Sequence, residues 1–403
     1  MVKKQYILFS LFTILILLNT FNHVSGYGSR SYNEDASVVI TFKDHIYIGT
    51  HNPIKGCELF RSSNGNDWER IVGENGKIPN GFGKKSNIAI WCGKVFGKPG
   101  NEYLYLGTLN ILKGCEVWRS FDGENWSAVV GGDSKTPNGF GGLFRRFNYY
   151  AWYMEIFPTL EDKKTGEKVP HLCVGTFSFF TSAQLWVTSD GVNWNRLVGG
   201  IGKKPTDNGF GNRNNYGFRS MIYFKDCFYV GTAIRPFRPM QGCEIWRASD
   251  GKTWEQVNQG GFGDPDNGYA WSIAEFNGRL FVGTINLPKG CEIWSSEDGN
   301  SWTKVVDKGL GNRWNLGVRR MIIYGNQLYA GVCNPVHGCE IWNTSDGVNW
   351  TRLYTKGFDT KRNIAIRRFA EFNDDLYFGT WNFDGFKLYR YDNVHLENVE
   401  FKE

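Results

Sequence analysis

Gly338-Cys339-Glu340-Ile341-Trp342-Asn343-Thr344-Ser345-Asp346-Gly347-Val348-Asn349-Trp350 is rewritten, with small changes, through most of this 403-residue chain. An apolar run ending in Gly-Thr precedes it and a Gly-Phe-Gly loop follows it. The closing Trp falls at Trp68, Trp126, Trp194, Trp254, Trp302 and Trp350. The Gly-Thr step falls at Thr50, Thr108, Thr176, Thr232, Thr284 and Thr380, with Gly331-Val332 in the remaining copy. A period of about 48 to 68 residues holding four short apolar runs is the mark of a β-propeller blade rather than a helical solenoid.

The sixth copy gives the blade in full. Asn315 to Tyr324 reads as the innermost strand, Gln327 to Val332 as the second, Cys339 to Asn343 as the third and Trp350 to Leu353 as the fourth. Each alternates with period two, and Gly, Asn, Asp and Pro mark the connections. Repeats start near residues 33, 87, 148, 215, 267, 315 and 363, and the last closes with Lys387 to Tyr391 and Asn398 to Phe401. The expected fold is all-β: a seven-bladed β-propeller of four-stranded antiparallel blades, spanning residues 27–403 as one domain.

Residues 1–26 read as a secretory signal peptide: Lys3 and Lys4, an apolar stretch from Tyr6 to Leu18, then the small residues Val24-Ser25-Gly26. The apolar core is shorter than the roughly 20 residues a membrane span needs. The expectation is a secreted or extracytoplasmic protein with no membrane span after cleavage. Composition suits short strands and bulky packing, with 50 Gly and 16% aromatic residues. A net charge of +6, two units of it from Lys3 and Lys4, argues against a nucleic-acid partner.

Nine Cys in an exported chain would ordinarily suggest disulfides. Here Cys57, Cys115, Cys243, Cys291 and Cys339 hold one repeat position, at the start of the third strand. With strands about 4.8 Å apart, such positions in adjacent blades lie about 13 Å from one another. A disulfide needs Cα atoms within about 7 Å. These five read as small buried residues, and the same distances argue against a metal site. No cofactor motif is present: no His-Glu-x-x-His, no Gly-x-Ser-x-Gly and no phosphate loop.

The turn Ser120-Phe121-Asp122-Gly123-Glu124-Asn125-Trp126 and its copies resemble the Asp-box, or BNR-repeat, propellers, a group that includes the sialidases. The resemblance covers nearly all of the chain beyond residue 26 at the level of repeats. It departs from the family pattern in that Asp and Gly are adjacent. It implies that the turn is structural and lies on the face opposite any active site. The sialidase group uses three arginines around a carboxylate, a Tyr nucleophile activated by Glu, and an Asp acid/base. Its Arg-Ile-Pro element is missing, since Arg235-Pro236 and Arg238-Pro239 are not in its place.

Ligand contacts are therefore expected on the face carrying the loops between strands two and three and between four and one. Asn33, Asn87, Asn148, Asn215, Asn267, Asn315 and Asn363 each stand nine residues before the aromatic that closes an innermost strand. Four residues after each Asn come Ser37, Trp91, Trp152, Arg219, Trp271, Arg319 and Arg367. Period-two alternation places these on one side of the strand. They outline a central recess of amides, indoles and guanidiniums suited to a sugar ring and an acidic group. A capping or packing role is the competing reading, above all for the Asn. Rim loops add Lys84, Lys85, Arg145, Arg146, Arg213, Arg313, Lys361 and Arg362, with Lys55, Lys113, Lys289 and His337, against Asp264 and Asp266.

The functional expectation is a module binding an acidic or amphiphilic glycan, or a protein partner, in that recess. The alternative is a carbohydrate-active enzyme, a sialidase-like glycoside hydrolase or polysaccharide lyase, using Glu275, Glu371 or Glu155 beside the arginines. Hydrolysis would need two carboxyls roughly 5 to 9.5 Å apart. The third repeat diverges, with an insertion from Thr159 to Pro170 and Thr181-Ser182-Ala183-Gln184 where Gly-Cys-Glu is expected. The recurring Glu58, Glu116, Glu244, Glu292 and Glu340 read as inter-blade hydrogen-bonding or ion-pairing groups.

Overall fold

The computed structural model describes residues 32–141, 148–235 and 240–400. Residues 1–26, expected to form a signal peptide, and Arg145, Arg146, Arg238 and Phe401 lie outside the described residues. Twenty-eight strands follow one another in seven groups of four. The first group is Asp35–Phe42, His45–His51, Leu59–Ser62 and Glu69–Val72. The sixth is Gly317–Tyr324, Gln327–Cys333, Glu340–Thr344 and Thr351–Tyr354, and the seventh ends with Leu388–Tyr391 and Leu396–Val399. Within each group every strand pairs antiparallel with the next. Boundaries differ from the sequence expectation by a residue or two, the last strand ending at Val399 rather than running from Asn398 to Phe401.

Local chemistry explains the hairpins. Three of the two-residue connections between first and second strands put both central residues at positive φ, as at Lys225 (φ 44) and Asp226 (φ 62), the geometry that matches strand twist. In the Asp-Gly turn, Asp122 Oδ1 accepts the amides of Glu124 and Asn125 at 2.9 and 2.8 Å, and Ser120 Oγ accepts that of Gly123 at 2.8 Å. These donors hold the exposed Asp122 carboxyl below its usual range, although partial burial opposes them. Trp126 Nε1 closes the turn on Gly123 O at 3.2 Å. The repeated Asp is thus committed to its own loop.

The other repeated residues join one group to the next. The Gly of each Gly-Thr step faces the following innermost strand so closely that a Cβ on Gly49 would lie 2.7 Å from Ile90 Cβ. The same approach at Gly379 is to Ala36, 2.2 Å away, so the seventh group meets the first. Phe82 of the first Gly-Phe-Gly loop stacks on Trp118 of the second group at 4.6 Å and sets its edge against Trp126. Phe140 does the same with Trp186 and Trp194, and Phe210 with Trp246 and Trp254. Each wedge is a large aromatic in the left-handed region (Phe82 φ 57, Phe210 φ 56), held there by flanking glycines and by the stack it makes.

All nine Cys are free thiols, eight of them buried and Cys227 half-buried. Burial pushes the Cys92 thiol up to about 12. They pack as small apolar groups.

Candidate functional site

Innermost strands enter from the loop side through their Asn. Asn33 Oδ1 accepts Thr50 Oγ1 and Asn52 Nδ2, both at 3.0 Å, while Asn33 Nδ2 donates to Glu58 Oε2 at 2.6 Å. Asn87, Asn215, Asn267 and Asn315 likewise donate to Glu116, Glu244, Glu292 and Glu340. In the remaining two repeats Asn148 donates to Gln184 and Asn363 to Tyr389. These amides are buried and spent on holding strands one, two and three together. They do not line a recess. The recurring Glu correspondingly bonds the Asn of its own repeat, which corrects the inter-blade expectation. Lys84 at 2.6 Å from Glu116 is a link that comes from a loop leading into the strand.

Beyond the Asn, every innermost strand carries a register shift, and the residue skipped is Ser37, Trp91, Trp152, Arg219, Trp271, Arg319 or Arg367. A β-bulge adds one unpaired residue and re-aims its side chain. The variable position is therefore the bulge itself, and strict alternation does not hold across it. As a result, consecutive residues Arg319-Arg320 and Arg367-Arg368 are both drawn into the centre.

The bulge residues form cation–π pairs: Arg219 over Trp152 at 5.3 Å and Arg319 over Trp271 at 4.6 Å join adjacent repeats, and Arg367 over Trp91 at 4.6 Å reaches past the first repeat to the second. Sequence reasoning brought the right residues together but left them open to solvent. Instead Arg219, Arg319, Arg367 and Arg320 are 3%, 4%, 5% and 6% exposed, and Trp152 and Trp271 are buried. Arg367 is ion-paired with Asp35 at 2.5 Å. Burial pushes the Asp35 carboxyl up to about 6, against the pull of Arg367 and Arg219. No carboxylate hydrogen-bonds Arg219: its Nε and Nη1 have no partner, nor do Arg319 Nε and Arg320 Nε. Burial, with Arg320 and Arg367 nearby, pushes the Arg219 guanidinium well down. Arg320 and Arg368 both lie over the Tyr153 ring, at 5.0 and 5.6 Å.

Above this layer the mouth is apolar. Tyr150, Tyr216, Tyr269 and Trp381 are buried there, with Ile88, Trp91, Tyr149, Phe179, Leu287 and Phe383 partly exposed around them. Tyr216 and Tyr269 share a hydroxyl contact. Around the rim, much of the expected positive charge is answered locally. Lys55 pairs with Glu74 at 2.6 Å, Lys289 with Asp264 at 2.7 Å, and Arg362 with Asp384.

Of the three carboxylates considered for catalysis, Glu275 and Glu371 are not beside the arginines. Glu275 is exposed next to the hairpin that ends its strand, where it accepts the Gly278 amide at 3.0 Å. Glu371 occupies the same exposed place in the seventh repeat, one residue before Phe372. Four residues of strand, about 13 Å, separate it from Arg367. Glu155 is engaged by Lys94. Among the described residues no group of three or more His, Cys, Asp or Glu could hold a metal ion. No described helix is long and apolar enough to cross a membrane.

Sequence reasoning missed Asp35, Tyr153, Arg320 and Arg368. The adjacent Arg-Arg pairs were visible, but ordinary alternation assigns their members to opposite faces.

No protein-family model matches the chain, and no curated protein matches it in sequence. Solved structures do resemble it in shape. The BP39L lectin from Burkholderia pseudomallei superposes with a TM-score of 0.61 at 9% identity, covering 92% of this chain and 99% of that one. A putative 6-phosphogluconolactonase from Bacteroides uniformis gives 0.51 at 11% identity, covering 88% and 95%. The β-propeller domain of the Trilobed protease from Pyrococcus furiosus gives 0.48 at 10% identity, covering 92% and 99%. With the repeated meanders described above, the class is an all-β fold of the propeller type.

Proposed function

We propose that this chain is a secreted, seven-bladed β-propeller of the Asp-box kind that binds a glycan with an acidic or amphiphilic character at its upper, Asn-bearing face. The observation that carries the reading is the set of buried guanidiniums with unmet nitrogens, Nε and Nη1 of Arg219 and Nε of Arg319 and Arg320, beside an aromatic cluster. A buried cation without a partner is costly, so such a set is expected where an anionic group completes it. Indole and tyrosine rings around the mouth offer the flat apolar faces on which sugar rings stack. The lectin with a similar fold supports this choice of ligand. The positions of Glu155, Glu275 and Glu371 give the hydrolase and lyase readings no paired acid and base.

A glycan array that includes uronic, sialic and sulfated sugars, run beside an assay for new reducing ends, tests the proposal. The expected result is binding of acidic glycans without turnover, lost in an Arg219→Ala/Arg319→Ala variant that still folds. Release of reducing ends, or binding indifferent to those substitutions, would refute it.

A further inference from the structure

The third repeat breaks the pattern on the same face. In five repeats a buried Glu ends the loop into the third strand, and in four of them a basic side chain meets it. Arg70 is 3.8 Å from Glu58, Lys84 is 2.6 Å from Glu116, Lys304 is 2.7 Å from Glu292 and Arg352 is 3.9 Å from Glu340. The third repeat has Gln184 instead. Its amide keeps the neutral bonds, accepting Asn148 Nδ2 at 2.7 Å and Trp186 Nε1 at 3.0 Å and donating to Asn208 Oδ1 at 3.1 Å.

The base has stayed while the acid has gone. Arg196 stands two residues after its turn Trp, as Arg70, Lys304 and Arg352 do. It lies 5.8 Å over Trp186 and makes no ion pair among the described residues. Around it opens a cleft of ≈ 660 Å³ whose lining among the described residues includes Arg196, Arg213, Ser182, Gln184 and Asn208 and no carboxylate, with the Asp207 carboxyl set behind Gly200 and Gly202, where it accepts the Lys204 amide. Two large apolar side chains at its edge face solvent, Phe180 (70% exposed) and Ile201 (82%). The Ser182 side chain donates to Arg213 O at 2.9 Å, tying together the two loops that form the wall. Having Gln in place of Glu at this repeated joint leaves the joint intact and removes one negative charge from the space beside it.

We infer that this third-repeat cleft is a separate binding site for an oxyanion borne on a ligand with an apolar face, with a sulfated sugar as the fitting class. Arg196 and Arg213 take the oxyanion, and Phe180 and Ile201 cover the apolar side of the ring. The sugar portion of the inference rests on the glycan reading above, whereas the oxyanion portion does not.

Gln184→Glu is the discriminating variant, because it installs the side chain the fold already accepts in five repeats. Titration calorimetry is to be run with methyl galactoside 3-sulfate, unsulfated methyl galactoside and inorganic sulfate. The sulfated sugar is expected to bind the wild type, and both Gln184→Glu and Arg196→Ala to weaken it by about tenfold or more. Lys304→Ala, the matching base of the fifth repeat, should leave it unchanged. Failure of the sulfated sugar to bind, or equal binding to wild type and Gln184→Glu, overturns the cleft. If glycans bind but ignore Gln184→Glu, the cleft fails and the glycan reading stands. If inorganic sulfate binds as tightly as the sulfated sugar and is sensitive to Gln184→Glu, the oxyanion site stands and its assignment to a sugar falls.

Discussion

Arg219 and Arg367 occupy the same bulge position in two repeats, yet replacing each with Met should shift stability in opposite directions. Arg367 is paired with Asp35, and both side chains are almost fully buried. Truncating it strands a buried carboxylate, which costs about 3–5 kcal/mol. Arg219 has no hydrogen-bonded counter-charge, only the through-space attraction of Asp35, which already serves Arg367, and two of its nitrogens lack hydrogen-bond partners. Its removal forfeits the Trp152 stack, about 2 kcal/mol at most when desolvated, but also removes a desolvation penalty of several kcal/mol. The net gain expected for Arg219→Met is therefore about 1–3 kcal/mol. With an unfolding entropy of about 2.1 cal/mol/K per residue over roughly 370 residues, 1 kcal/mol moves Tm by about 1.3 °C. Arg367→Met should thus melt about 4–6 °C lower and Arg219→Met about 1–4 °C higher. The assay is differential scanning calorimetry in a zwitterionic buffer of low ionic strength, without sulfate or phosphate. If both variants melt lower by similar amounts, Arg219 is compensated in the folded chain, and the argument for an unmet cation beneath the mouth is refuted.

Three further outcomes follow from the same geometry. Phe210→Ala removes a wedge stacked on Trp246 and Trp254 and should cost about 3–5 kcal/mol, read as a lower denaturant midpoint. Glu34 is pushed up to about 7 by burial, with Asp35 adding to the effect. A carboxyl with a raised folded-state pKa favours the native state below its unfolded value, and that advantage is lost as pH rises through about 7. Glu34→Gln should therefore raise Tm at pH 8 and leave it nearly unchanged at pH 4.5, and parallel curves across that window would contradict this. Native protein treated with a thiol reagent should label at Cys227 alone, whereas unfolded protein should yield all nine thiols, with no change in Tm on adding reductant.

The repeat was open to inspection because each of its residues has one mechanical duty that only that residue type performs. Gly49 and its copies allow the next strand to approach, Phe82 and its copies wedge, and Asp122 and its copies tie a turn. Strand limits and the grouping of the variable Trp and Arg residues could be read for that reason. Their exposure could not. A bulge costs one residue of register and leaves no mark in hydrophobic alternation, so Arg320 and Arg368 were hidden beside their neighbours. The roles of the Asn and Glu sets also depend on which groups lie opposite across the sheet. That pairing is a matter of three-dimensional register, as Asn33 with Glu58 illustrates. The divergence at Gln184 was plain in the sequence, but its meaning came only from finding Arg196 beside it with no acid.

The Phe wedge has a consequence for how this molecule tolerates change. Repeats one, two, three, four and six each supply a Phe peg to the repeat that follows, and in the fifth Leu310 takes that place, so a loop can be rebuilt without unfastening the joints beside it. The third repeat illustrates this: it has exchanged its acid for an amide and lengthened its first hairpin, while Phe140 still enters its socket and its own Phe210 still enters the next. Novelty in one repeat is in this way mechanically insulated from the repeats on either side.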